Sequence, residues 1–129
     1  VSAGSILRFA AASVMGAALL FGATPAPAQA AASVTSAADC HSEAWGPYDY
    51  GYAYTVSGKS SPLRAAGPYS GCSSYSVPAG TEFSIDCRMY NDLGNLWYHG
   101  EVFVNGQYRS GWMFSSNLTF PSGSNFAWC

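Results

Sequence analysis

Thr81-Glu82-Phe83-Ser84-Ile85-Asp86-Cys87-Arg88-Met89-Tyr90 is the stretch that decides the fold class. Phe83, Ile85, Cys87 and Met89 alternate with Glu82, Ser84, Asp86 and Arg88. An extended chain with that alternation carries one apolar and one charged face, the pattern of a half-buried strand. Working outward, Pro78-Ala79-Gly80 separates it from a shorter strand over residues 73–77, and Asn91-Asp92-Leu93-Gly94-Asn95 turns the chain into the next strand, 96–104. Asn105-Gly106 suits a tight hairpin that needs positive φ, and residues 108–114 return antiparallel. Ser115-Ser116-Asn117 reads as one tight helical turn and Leu118-Thr119-Phe120 as a closing strand. Upstream, Leu63-Arg64 makes a short strand after the turn Gly58-Lys59-Ser60-Ser61-Pro62. About five to six short antiparallel strands, with no helix of useful length, predict an all-β protein: a small, strongly bent barrel.

The ends read differently. Arg8 precedes an apolar run over residues 9–21, and Ala28-Gln29-Ala30 places small residues where a signal peptidase cuts, so residues 1–30 are expected to be a secretory signal peptide. The run is shorter than the roughly 20 residues a membrane span needs, and no span is expected. Residues 31–53 read as a flexible lead-in and Tyr-rich extension, 54–120 as the barrel, and 121–129 as a tail ending in a cysteine. Tyr48, Tyr50, Tyr52 and Tyr54 recur at period two and share one face of an extended segment. That stripe either covers the barrel, the favoured reading, or stacks on the rings of a polysaccharide.

Beyond the expected leader, Lys59, Arg64, Arg88 and Arg109 stand against Asp39, Glu43, Asp49, Glu82, Asp86, Asp92 and Glu101. An acidic balance argues against nucleic acid and anionic membrane as partners, since both demand a basic patch. The expected state is a monomer. Cys40, Cys72, Cys87 and Cys129 all follow the leader, which in an oxidising compartment implies two disulfides out of three possible connectivities. Cys72 with Cys87 is favoured because they flank the predicted hairpin, and Cys40 with Cys129 because that bond would tie the ends. In the chain-entropy model these contribute about 3 and about 4 kcal/mol. Paired Cys-x-x-Cys spacing is missing and His41 beside Cys40 does not replace it, so no metal and no cofactor is expected.

Arg64-Ala65-Ala66-Gly67-Pro68, Gly80-Thr81, Trp97-Tyr98, Gly111-Trp112 and Ser115-Ser116-Asn117-Leu118 follow one another in an order and spacing that resembles the secreted bacterial Src-homology-3-like domain. The resemblance runs from about Tyr54 to Phe120. It implies a small barrel that binds without catalysis, with cell-wall peptidoglycan as the kind of ligand, and it supports the Cys72–Cys87 pairing because some exported members carry cysteines near those positions. Two departures stand out: Pro62-Leu63-Arg64 replaces the family's Asn-Val-Arg, and residues 100–106 lengthen the Trp97 hairpin.

Barrels of this type resemble one another in using a shallow aromatic groove, where rings supply contact area and polar tips set orientation. The candidates are Tyr69, Tyr75, Tyr90, Trp97 and Tyr98, with Asn91 and Asp92 as polar contacts. Core or rim packing is the competing role for Trp97, and the favoured one for Trp112. For catalysis, His99 and Glu101 lie two apart on one strand, which permits an acid/base pair, but nothing in the sequence activates it. No Gly-x-Ser-x-Gly elbow is present. The expectation is a secreted, non-catalytic module that binds peptidoglycan or another extracellular peptide-like ligand; the alternative is an inhibitor or effector that engages a soluble protein.

Overall fold

The computed structural model describes residues 40–129. The expected signal peptide and the first part of the lead-in lie outside the described residues. Six strands follow in order: β1 (Tyr52–Tyr54), β2 (Ser61–Leu63), β3 (Tyr75–Val77), β4 (Glu82–Tyr90), β5 (Leu96–Val104) and β6 (Gln107–Phe114), then a single 3-10 turn, Ser115–Asn117. The protein is all-β, as the alternation predicts. A four-stranded antiparallel sheet runs β1-β4-β5-β6, and β2 and β3 form a second. Arg64 joins them: its N–H donates to the Trp112 carbonyl at 2.9 Å and its carbonyl accepts from Trp112 N–H at 2.8 Å. The ladders do not close into a continuous barrel. Thr55 extends the β1–β4 pairing past the strand ends, its N–H donating to the Thr81 carbonyl at 2.9 Å and its carbonyl accepting from Gly80 N–H at 3.0 Å. Among the described residues, no helix is long and apolar enough to cross a membrane.

The β5–β6 hairpin turns at Asn105 and Gly106, with φ of 53° and 78°. Both fall in the left-handed region that Asn and Gly tolerate best, and the flanking strands keep full register from Trp97↔Phe114 to Val104↔Gln107.

The long strand β4 departs from its apparent alternation. Register with β5 shifts between Ile85 and Cys87, leaving Asp86 as the extra residue of a bulge. Before the bulge, Phe83 pairs with Val102 and Ile85 with Gly100, on the core side; after it, Cys87 pairs with His99 and Met89 with Trp97. One inserted residue reverses the side-chain parity. Phe83 and Ile85 therefore join Leu63, Val77, Tyr98, Val102, Met113 and Leu118 in the main core, whereas Cys87 and Met89 point with Trp97, His99 and Trp112 to the opposite, outer face. The sequence pattern expected all four on one face.

The bulge also anchors the segment upstream of β1. Asp86, unpaired to β5, offers its carbonyl to the N–H groups of Tyr48 and Asp49 at 2.8 and 2.7 Å, and its carboxylate to His99 Nδ1 at 2.9 Å. Residues 40–53, expected to belong to a flexible lead-in, thus dock on the sheet. The C-terminal tail docks too: Tyr52 and Ser122 exchange backbone bonds at 3.0 and 2.8 Å, and Arg88 bonds Ala127 and Cys129, each at 2.9 Å. Asp49 ties both ends together, accepting from Gly51 N–H at 2.8 Å and from Ser124 Oγ at 2.6 Å.

The disulfides differ from the expected pairing. Cys40 bonds Cys72 and Cys87 bonds Cys129. Parity explains the second: the bulge turns Cys87 to the outer face, where the returning tail brings Cys129. The first fixes the start of the docked segment beside the loop that follows β2. With separations of 32 and 42 residues, each constrains the unfolded chain by about 4 kcal/mol in the chain-entropy model. Two disulfides mark an oxidising, extracellular-type environment.

The Tyr stripe faces away from the protein. Asp49, Gly51, Ala53 and Thr55 are the buried members of that segment, while Tyr48, Tyr50, Tyr52 and Tyr54 are exposed. The alternation favours packing for the rings, and the structure differs. The small and polar residues between them do the packing, because Gly51 lies so close to Ser124 that a side chain there would meet its Cα at 2.6 Å.

Candidate functional site

A cleft of about 200 Å³ opens where the end of β2, the β4–β5 turn and the 3-10 turn meet. Trp97, Phe114, Leu93 and Pro62 supply its apolar wall, and Arg64, Asn95, Asn117 and Ser70 its polar groups. It is smaller than the ~300–1,000 Å³ of pockets that enclose a whole small molecule, so it accommodates one side chain or a short stem. Trp97 and Phe114 are cross-strand neighbours with ring centroids 5.5 Å apart. The Trp97 indole N–H is buried without a hydrogen-bond partner, and so is Arg64 Nε. A second guanidinium nitrogen of Arg64 donates to the Cys72 carbonyl, which holds the group at the cleft. Burial pulls the Arg64 pKa below its usual value. Unpaired buried donors are costly, and both of these belong to residues that line the cleft.

Of the seven residues expected to bind, the cleft gathers two, Asn91 and Trp97. Asn91 is buried and spoken for: its Nδ2 donates to the Pro68 carbonyl at 2.7 Å, and its Oδ1 accepts from the N–H groups of Leu93 and Asn95 at 3.1 and 3.0 Å. Its role is to shape the β4–β5 turn. Tyr98 is buried in the main core. Tyr75 lies beneath Arg109, whose guanidinium sits 3.8 Å above the ring, away from the cleft. Tyr90 is exposed beside Trp128. Arg64, Asn95, Asn117 and Phe114 are not legible as site residues in the sequence because the fold brings them together from distant segments; Arg64, opening the stretch before the Gly-Pro corner, and Asn117, in the Ser115–Leu118 pattern, are the two that carry a sequence signal.

Tyr69 and Asp92 belong to a separate cluster. Tyr69 is buried, with 1 % of its surface exposed, and its hydroxyl donates to Glu43 Oε1 at 2.8 Å. Burial, with the Glu43 carboxylate adding to it, pushes the phenol up to about 12. His41 lies against the Tyr69 ring, centroids 4.1 Å apart, and its Nε2 is 3.2 Å from both Glu43 Oε1 and Asp92 Oδ2.

His99 and Glu101 share a strand face but not an environment. Trp45 stacks on the His99 ring at 3.8 Å, and Trp112 meets its edge at 4.9 Å, whereas Glu101 is exposed. Burial lowers the His99 pKa against the opposing pull of Asp86. Beyond this covered patch the same outer face is open: Tyr52 and Tyr54 on β1, Glu82 and Ser84 on β4, Glu101 and Phe103 on β5, and Tyr108 on β6 form an exposed aromatic surface with carboxylates between the rings.

Comparisons with protein-family models, with curated proteins and with solved structures found no significant match.

Proposed function

We propose that this protein is a secreted, non-catalytic binding module of Src-homology-3-like type that recognises the peptide part of cell-wall peptidoglycan or a similar extracellular peptide at the Trp97 cleft. The single observation behind this reading is the meeting, in one cleft, of the Arg64 guanidinium with a Trp97–Phe114 wall whose rings lie 5.5 Å apart and tilted by 49°. Rings offer contact area at low entropic cost, and a guanidinium matches a carboxylate in planar, two-point geometry. Peptide stems of the wall present carboxylates and carbonyls on a flexible chain, which suits a cleft of this size.

The open outer face favours a second mode of contact on the same polymer. Tyr52, Tyr54, Phe103 and Tyr108 present rings to solvent, and such rings stack on sugars. The cleft would then read the peptide and the platform the glycan strand.

Pull-down of the oxidised chain on purified sacculi tests the proposal. Retention is expected, and Arg64→Gln should reduce it at least tenfold with the fold intact. Absence of retention on every sacculus tried would overturn wall binding and leave the alternative, a soluble protein partner.

A further inference from the structure

We infer that His41, Glu43 and Asp92 bind one divalent cation of the zinc class. His41 Nε2, a Glu43 carboxylate oxygen and an Asp92 carboxylate oxygen lie within 4.8 Å of one another, with the imidazole nitrogen 3.2 Å from each oxygen. Zinc holds nitrogen and oxygen ligands at about 2.0–2.2 Å. Donors at that radius stand about 3.0 Å apart at octahedral right angles and about 3.4 Å apart at tetrahedral ones. Both nitrogen–oxygen separations fall between these values, and the two carboxylate oxygens lie within 4.8 Å of each other, close enough for side-chain rotation to bring all three donors onto one cation.

Charge points the same way. Two carboxylates converge, and among the described residues neither has a Lys or Arg within ion-pair distance; His41 is the only such partner of each. Asp92 is largely exposed, which leaves the approach to the cluster open. One imidazole with two carboxylates suits zinc or cobalt better than calcium or magnesium, which prefer all-oxygen sites. Three protein ligands also leave a coordination position for water or for an anionic ligand. The cysteines do not compete, since all four are in disulfides.

The ligands are held in place independently of any ion. The Cys40–Cys72 bond fixes the residue before His41, and the His41 carbonyl packs directly on Gly67, where a side chain would collide with it. Tyr69 supports the imidazole with its ring and orients Glu43 with its hydroxyl, the supporting contact that metal-binding carboxylates commonly have. His41 and Glu43 come from the docked segment and Asp92 from the β4–β5 turn, next to Asn91 at the cleft.

Isothermal titration of the oxidised full chain with zinc chloride, magnesium chloride and calcium chloride tests the inference. Saturable binding of one Zn²⁺ per chain is expected, without comparable Mg²⁺ or Ca²⁺ binding. His41→Ala and Asp92→Asn should each weaken it at least tenfold, and Tyr69→Phe by less, as befits a positioning residue. No saturable Zn²⁺ binding, or unchanged affinity in a folded His41→Ala variant, would overturn it. Should that variant fail to fold, X-ray absorption of the Zn²⁺-loaded native chain decides: one nitrogen with oxygens supports the site, and a shell with sulfur or without nitrogen refutes it. None of these outcomes depends on wall binding.

Discussion

Trp45 lies flat on His99, ring centroids 3.8 Å apart and planes 13° from parallel. The imidazole is thereby sealed between Trp45, Trp112 and the Asp86 carboxylate, and the docked segment carries a cap for the outer face of the sheet. Trp45→Ala removes that cap. A loss of about 2 kcal/mol in stability is expected from the lost area and stacking, measured by urea denaturation, together with increased exchange of the amides of residues 41–50.

Acid should weaken the fold in two stages. Burial lowers the His99 pKa, so the native state favours the neutral ring and the unfolded chain binds the proton more readily. Stability from this source is present above about 6.5, the ordinary histidine value, and is lost as pH falls through the lower native value. Burial works to raise the Asp49 carboxyl, but hydrogen bonds from Ser124 and from the backbone of Gly51, Asn125 and Ala127 hold it below its usual 3.8. Its contribution is lost later, as pH falls below about 4. Denaturation midpoints from pH 8 to 3 should show both steps, and His99→Gln should abolish the first.

Peptide mapping of the unreduced protein should recover Cys40 joined to Cys72 and Cys87 joined to Cys129. A Cys72–Cys87 peptide would contradict the parity reversal at the bulge. Replacing both cysteines of either bond by Ser should cost about 4 kcal/mol, less any strain released.

Gly67→Ala should loosen the docked segment, because the added methyl collides with the His41 carbonyl and a backbone atom cannot swing aside. About 2 kcal/mol of destabilisation is expected, with proteolytic nicking shifted toward residues 40–50. An unchanged nicking pattern would show that the segment does not depend on this contact.

At the cleft, Phe114→Ala and Asn95→Ala should each reduce retention on sacculi, whereas Arg109→Ala, whose guanidinium covers Tyr75 away from the cleft, should leave it unchanged. Loss of retention in Arg109→Ala alone would move the site to the other end of the sheet. Tyr52→Ala with Tyr54→Ala tests the platform by the same readout.

The all-β class, the long central strands and the Asn105-Gly106 hairpin were legible in the chain itself, since period-two alternation and turn chemistry are local properties. The strand expected over 96–104 occupies Leu96–Val104. Tertiary structure alone decided the rest. Alternation reads straight through Asp86, because a bulge changes which partner a residue meets and not which residues the strand contains. From that one shift follow the outward turn of Cys87, its bond to Cys129 and the docking of residues 40–49. The cleft and the His41, Glu43, Asp92 cluster were hidden for the same reason: each draws on segments separated in sequence, and periodicity carries no information about which distant turns come to share a corner. The sequence determined which elements form, by local sterics and burial pattern, while long-range register and the crosslinks determined which side chains meet.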